Sequence, residues 1–155
     1  MVFYRSEDFF KKEPRLACGA SVYLQNLKGD FLLQLRTVDV LREPNKWTVI
    51  SGKLESPENP EYTVLREARE ELGIELLGVR YFRDYQWNSK ELGSVWYNHN
   101  FVFYALIDVP VEKINLTEGQ KIEYFPIKDI LNMDLAFNHN EVFRDLLKWH
   151  GSLPI

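Results

Sequence analysis

The stretch GKLESPENPEYTVLREAREELGI, residues 52–74, decides how this 155-residue chain folds. Its second half spells out a helix with both ends marked. Asn59 before Pro60 is a helix start, because an Asn side chain caps a free amide and Pro fits the first helical position. Gly73 stands where a left-handed residue ends a helix near Leu72. At 100° per residue, Leu65, Ala68 and Leu72 share one arc, with Glu67, Glu70 and Glu71 on the opposite side. The apolar arc is expected to pack on a sheet. The acidic arc sets like charges at i,i+3 and i,i+4, a cost of about 0.2–0.5 kcal/mol per pair that Arg66 offsets in part. Two readings follow: a solvated acidic helix face, which is common, or hard oxygen ligands gathered for Mg²⁺ or Mn²⁺.

Outward from this helix, residues 17–25 read as a buried strand, NLKGD as a turn and 31–36 as the return strand of a hairpin. Residues 37–46 form a polar loop. WTVI, 47–50, is a short strand that breaks at Ser51–Gly52. Residues 75–85 read as strand, NSKELGS (88–94) as loop, and 95–109 as a long strand with an irregularity at the NHN of 98–100. A loop at 111–120 leads to a strand at 121–127 and a helical turn in KDILNM. A last helix spans about 140–150, its apolar side made by Val142, Phe143, Leu146, Leu147 and Trp149. Ser6 could cap a short helix running to Lys12. The mixture predicts an α/β or α+β layered fold, with 1–155 as one domain.

A hydrophobic fraction of 45% suits a globular core, and a net charge of −4 provides no overall basic field for nucleic acid or acidic membranes. Cys18 is the only cysteine, so no intrachain disulfide forms. No run approaches the roughly 18 apolar residues of a membrane span, and the first residues lack an apolar signal core. The expectation is a cytoplasmic protein with a small-molecule partner.

The spacing in 52–74 adds a second layer. Gly52, Glu58, Arg66, Glu67, Glu70, Glu71 and Gly73 occupy every fixed position of the Nudix box, and the chain resembles the Nudix hydrolases. That resemblance implies an α/β/α sandwich around a mixed β-sheet and Mg²⁺-dependent cleavage of a diphosphate linked to some group X, by water attack on phosphorus. It implies Glu67, Glu70 and Glu71 as metal ligands with the Gly52 carbonyl, Arg66 as an orienting residue, and Glu58 and Gly73 as structural. Glu55 matches an acidic position often seen in the family. Ile50 and Ser51 depart from the Pro-Gly of many members.

Two further segments carry a finer likeness. TEGQ, 117–120, resembles the KEGQ loop of the MutT nucleoside-triphosphate pyrophosphohydrolases, which implies Glu118 as a further metal-site carboxylate. FNHNEVFRDLL resembles the MutT segment whose asparagine reads a purine edge. Asn140 takes that position with Asn138 as a rival, and an N-cap role for the asparagine is an equal reading. Arg36 either reaches a phosphate or is a solvated strand-end arginine. Trp87, Trp96 and Tyr97 either stack a base or pack, and His99, His139 and His150 lack a metal-ligand spacing. The resemblance points to a nucleoside triphosphate substrate, including an oxidised purine such as 8-oxo-dGTP, cleaved to monophosphate and pyrophosphate. The alternatives are a nucleotide-sugar hydrolase of GDP-mannose type, suggested by FYRSEDF at 3–9, and a non-catalytic nucleotide-binding module. Substrate choice is expected in 37–46, 88–94 and 134–140.

Overall fold

The computed structural model describes residues 15–55, 59–91 and 93–149. The expected helix at 6–12, Glu58 and His150 lie outside the described residues.

Strand β1 (Arg15–Gln25) is the spine: it is buried without a break over 20–25, as a largely apolar strand covered on both faces must be. It runs parallel to β6 (Ser94–Leu106) from Arg15↔Trp96 to Gln25↔Leu106. On its other side β4 (Ile50–Lys53) pairs antiparallel with its middle, from Gly19↔Lys53 to Val22↔Ile50, and β2 (Phe31–Leu35) joins at Gln25↔Phe31. β2 in turn pairs with β3 (Trp47–Thr48) and β7 (Lys121–Phe125), and β5 (Arg80–Glu91) pairs antiparallel with β6. The result is a mixed seven-stranded sheet.

Cys18, Ala20, Val22 and Leu24 of β1 join Phe101 and Phe103 of β6 under helix α1 (Pro60–Leu72), which contributes Val64 and Leu72. Tyr23, Val102 and Tyr104 form the opposite core with the short helix α2 (Ile127–Ile130) and α3 (His139–Trp149), through Ile130, Val142, Phe143 and Leu146. The two helical layers on the two sheet faces make the α/β/α sandwich. No helix among the described residues is long and apolar enough to cross a membrane.

The ends of α1 follow from its sequence. Asn59 accepts from the Tyr62 amide at 2.8 Å, and Gly73 adopts φ 68°, donating its amide to the Arg69 carbonyl at 3.0 Å. Four expectations are corrected. Glu71 is not opposite the apolar arc: Thr63, Val64, Ala68, Glu71 and Leu72 are the buried residues of α1. Seven residues separate Val64 from Glu71, so they lie only about 20° apart on the helix. WTVI splits at Val49, where the chain leaves β2 for β1, and Ser51 and Gly52 are paired strand residues rather than a break. Strand β5 begins at Arg80, not 75, and continues through NSKE to a tight hairpin. The NHN of 98–100 is regular strand; the irregularity is a bulge on β5 between Tyr81 and Arg83.

Candidate active site

Helix α1 crosses β4 where a side chain would not fit. A Cβ on Gly52 would collide with the Glu67 carboxyl, and a Cβ on Gly19 would stand 2.8 Å from the Gly52 carbonyl oxygen. The glycine on β4 therefore lets Glu67 lie directly against the strand backbone. Arg66 fixes that carboxylate: its Nη1 donates to Glu67 Oε1 at 2.7 Å and to Glu70 Oε2 at 2.9 Å, and its Nη2 reaches the Lys53 carbonyl at 3.4 Å. The Glu70 side chain is 56% exposed. Glu55 is also exposed.

The loop carrying TEGQ is strapped to the C-terminal end of α1. The Thr117 amide donates to the Glu71 carbonyl at 3.0 Å and its hydroxyl to the Glu70 carbonyl at 2.8 Å. Gln34 Nε2 donates to the Glu118 carbonyl at 2.7 Å. These bonds answer the unpaired carbonyls of a helix end and set Glu118 beside Glu71. Glu71 is 7% exposed, and its Oε2 has no hydrogen-bond partner. Burial, then the Glu118 and Glu67 carboxylates beside it, push Glu71 up to about 10. A buried carboxylate oxygen without a donor, among other carboxylates, calls for a proton or a cation.

Among the described residues no three His, Cys, Asp or Glu side chains are already arranged to hold a metal ion. Mg²⁺ does not need one, because it keeps several waters and binds through one or two carboxylates plus substrate phosphate. The donor chemistry of Glu67, Glu71 and Glu118 fits such an ion.

Glu71, Thr117 and Glu118 line a pocket with Gln34, Thr37 and Asp39. A second cleft, of about 380 Å³, lies beside it. Trp87, Trp96, Asn98, Asn100 and Phe137 line this cleft, and Arg36 and Ser51 line both spaces. Arg36 is half-buried and anchors the loop that follows it, donating to the carbonyls of Arg42 at 2.8 Å (Nη2) and Glu43 at 3.1 Å (Nε). Burial lowers its guanidinium, and the charges of Glu43, Glu71 and Glu118 work to keep it protonated. Trp87 and Trp96 thus stand in the cleft wall, whereas Tyr97 is 44% exposed.

Asn140 does not offer its amide to the cleft. It is committed to the Leu135 amide at 3.0 Å and the Met133 carbonyl at 2.7 Å. Both amide atoms of Asn138 are buried without a partner; its chain neighbours Phe137 and His139 line the cleft, and Asn138 itself does not. His139 bridges Tyr23 Oη at 2.6 Å and Thr48 Oγ1 at 3.0 Å, and His99 contacts Asp84 at 2.6 Å. Sequence reasoning passed over Arg42, Asn98 and Asn100 as cleft residues. The available signal was period-2 alternation through WYNHNF, which turns both asparagines to the face opposite Phe101.

The NUDIX domain family model matches residues 15–146. A curated relative, the uncharacterised Nudix hydrolase YvcI of Bacillus subtilis, is 26% identical over 136 residues, covering 84% of each chain. Among solved structures, the MutT protein of Methanosarcina mazei Go1 superposes with TM-score 0.71 at 21% identity, over 92% of this chain and 99% of that one. The NUDIX domain of Shewanella oneidensis NrtR, solved with ADP ribose, gives 0.72 at 17% identity over 93% and 98%. An Ap4A hydrolase of C. elegans gives 0.67 at 15% identity over 88% and 99%.

Proposed function

The chain belongs to the NUDIX family and is a MutT-like Nudix hydrolase of nucleoside diphosphate derivatives; on that premise we propose that it hydrolyses nucleoside triphosphates to monophosphate and pyrophosphate with Mg²⁺. The observation that carries this reading is the junction at Arg36 and Ser51. An acidic pocket suited to cations and phosphates opens there onto a cleft walled by Trp87, Trp96 and Phe137. A substrate that is polyanionic at one end and flat at the other spans the two.

Glu67, Glu71 and Glu118 would hold the cation, with the Gly52 carbonyl at its side and Glu70 as a more exposed member of the set. The ion, when bound, offsets phosphate charge and acidifies the attacking water. Arg66 keeps Glu67 aimed across β4. Arg36 supplies positive charge between the pockets, where the phosphate chain passes. Water adds to phosphorus, the anhydride P–O bond breaks, and the water's proton goes to a carboxylate of the set. Asn138, its amide unspent, takes over from Asn140 as the residue to read a base edge. A second reading has a specific basis: Asn100 lines the cleft, and an amide there also suits a sugar hydroxyl, as in a nucleotide sugar.

The test is a phosphate-release screen over nucleoside triphosphates, nucleotide sugars, ADP-ribose and dinucleoside polyphosphates, coupled to phosphatase or pyrophosphatase, with Mg²⁺ or with EDTA. Triphosphates should turn over best and only with metal. Faster turnover of nucleotide sugars would replace the first reading with the second. No turnover of any compound would leave a binding module.

A further inference from the structure

Three segments bordering the cleft meet at one side chain. Arg42, from the loop after β2, donates through Nε and Nη2 to the two carboxylate oxygens of Glu91 at 2.9 and 2.7 Å, at the tip of the β5–β6 hairpin. Its Nη2 also donates to Asn98 Oδ1 at 2.7 Å. The guanidinium carbon lies 4.2 Å from the ring centre of Trp96 and 5.1 Å from that of Phe137, in the loop before α3. Phe137 sits in the left-handed region at φ 51°, held there as its amide donates to Glu43 Oε1 at 3.1 Å. The Asn98 amide group is in turn fixed by donating to the Trp87 carbonyl at 3.1 Å and Ser89 Oγ at 3.0 Å.

We propose that Arg42 is a positioning residue that sets which group X the cleft accepts, by holding Trp96, Asn98 and Phe137 in register with one another. A planar fork that is paired bidentately and stacked on two rings fixes geometry as no other side chain does. Glu91 neutralises the charge of Arg42, so the role of this arginine is to order the wall, not to bind phosphate. Arg42 lines the cleft but not the acidic pocket, so its loss weakens substrate and transition state alike. This inference rests on the proposed hydrolysis of a nucleotide derivative.

The experiment compares Arg42→Ala, Arg42→Lys and Glu91→Gln with wild type. Each is assayed for KM and kcat on the best substrate and on one with a different X, and for melting temperature. Arg42→Ala should raise KM about tenfold on the best substrate, hold kcat within about twofold, and narrow the preference between the two compounds. Arg42→Lys should fail to restore it, because an ammonium lacks the fork and the stacking plane. Unchanged KM and preference would overturn the proposal, and so would a fall in kcat that tracks lost thermal stability. If Arg42→Ala does not fold, the milder Glu91→Gln carries the same KM readout. Nucleotide binding followed by tryptophan fluorescence gives the contrast without turnover. Absent wild-type turnover therefore sinks the proposed reaction, and wild-type binding by Arg42→Ala sinks this inference.

Discussion

A single buried imidazole sets an acid limit on this fold. Thr48 Oγ1 gives its proton to the Val49 carbonyl at 3.2 Å, so it accepts from His139 Nε2, and Nδ1 accepts from the Tyr23 hydroxyl. That chain has no place for a second ring proton. Burial, with the Arg36 charge as a lesser cause, lowers His139 from 6.5 to about 3. The unfolded chain binds the proton more readily, so stability is complete above about pH 6.5 and falls as pH drops toward 3. Wild type should lose more melting temperature between pH 7 and pH 5 than His139→Gln does; parallel losses would clear His139 of the effect. The neighbouring asparagines separate in the same manner. Asn140→Ala leaves the Leu135 amide and Met133 carbonyl unpaired, at about 1–3 kcal/mol of stability, with substrate preference kept. Asn138→Ala removes an amide without partners, so stability should hold while purine and pyrimidine rates shift relative to each other. Equal relative rates in Asn138→Ala would remove it from base reading. Both asparagines were legible as candidates from FNHNEVF. Which one has a free amide was not, because the partners of Asn140 are backbone atoms of the loop that precedes α3.

At the scale of elements, the crossing of α1 over β4 makes a sharper test than any one carboxylate. The obstacle to a methyl at Gly52 is the flexible end of Glu67; at Gly19 it is the Gly52 backbone. Gly52→Ala should therefore fold with little loss of melting temperature and lose at least about tenfold in kcat, roughly 1.4 kcal/mol of transition-state stabilisation, as Glu67 is displaced. Gly19→Ala should lose stability first, by forcing β1 from β4. Reversed outcomes would mean that the glycine pair serves packing alone. Helix α1 could be read in advance because its ends are local chemistry, Asn59–Pro60 and Gly73. Strand β5 was legible over 80–85, and its second half was not. NSKELGS has the composition of a loop, and its strand geometry is held from outside: Asn98 of β6 bonds Trp87 and Ser89, and Arg42 bonds Glu91. The wheel misjudged Glu71 because the apolar arc left out Val64, which lies about 20° from it. The carboxylates and the strapped 117–120 loop that Glu71 meets were not legible, because they belong to the tertiary fold.

Across the whole molecule, the sandwich pulls together carboxylates that the chain keeps far apart: Glu71 from α1 and Glu118 from the loop before β7. In the absence of a cation this arrangement costs stability, because Glu71 is buried beside other acids without a donor. A ligand that binds only the folded state repays that cost by RT ln(1 + [L]/Kd), about 2.7 kcal/mol at a hundred times Kd. For a chain of this size each kcal/mol moves the melting temperature by roughly 2–4 °C. Mg²⁺ should therefore raise the wild-type melting temperature by several degrees over EDTA. Glu71→Gln keeps the shape and removes an acid that burial forces to take up a proton, so in EDTA it should melt at or above wild type. With Mg²⁺ it should gain little, and its kcat should fall at least about tenfold. A simple structural acid would behave otherwise: the variant would melt lower in EDTA and still respond to Mg²⁺. The two outcomes differ in sign, because a cation site retains a destabilising cluster only if the ion offsets it, whereas a packing site has no reason to hold these carboxylates together.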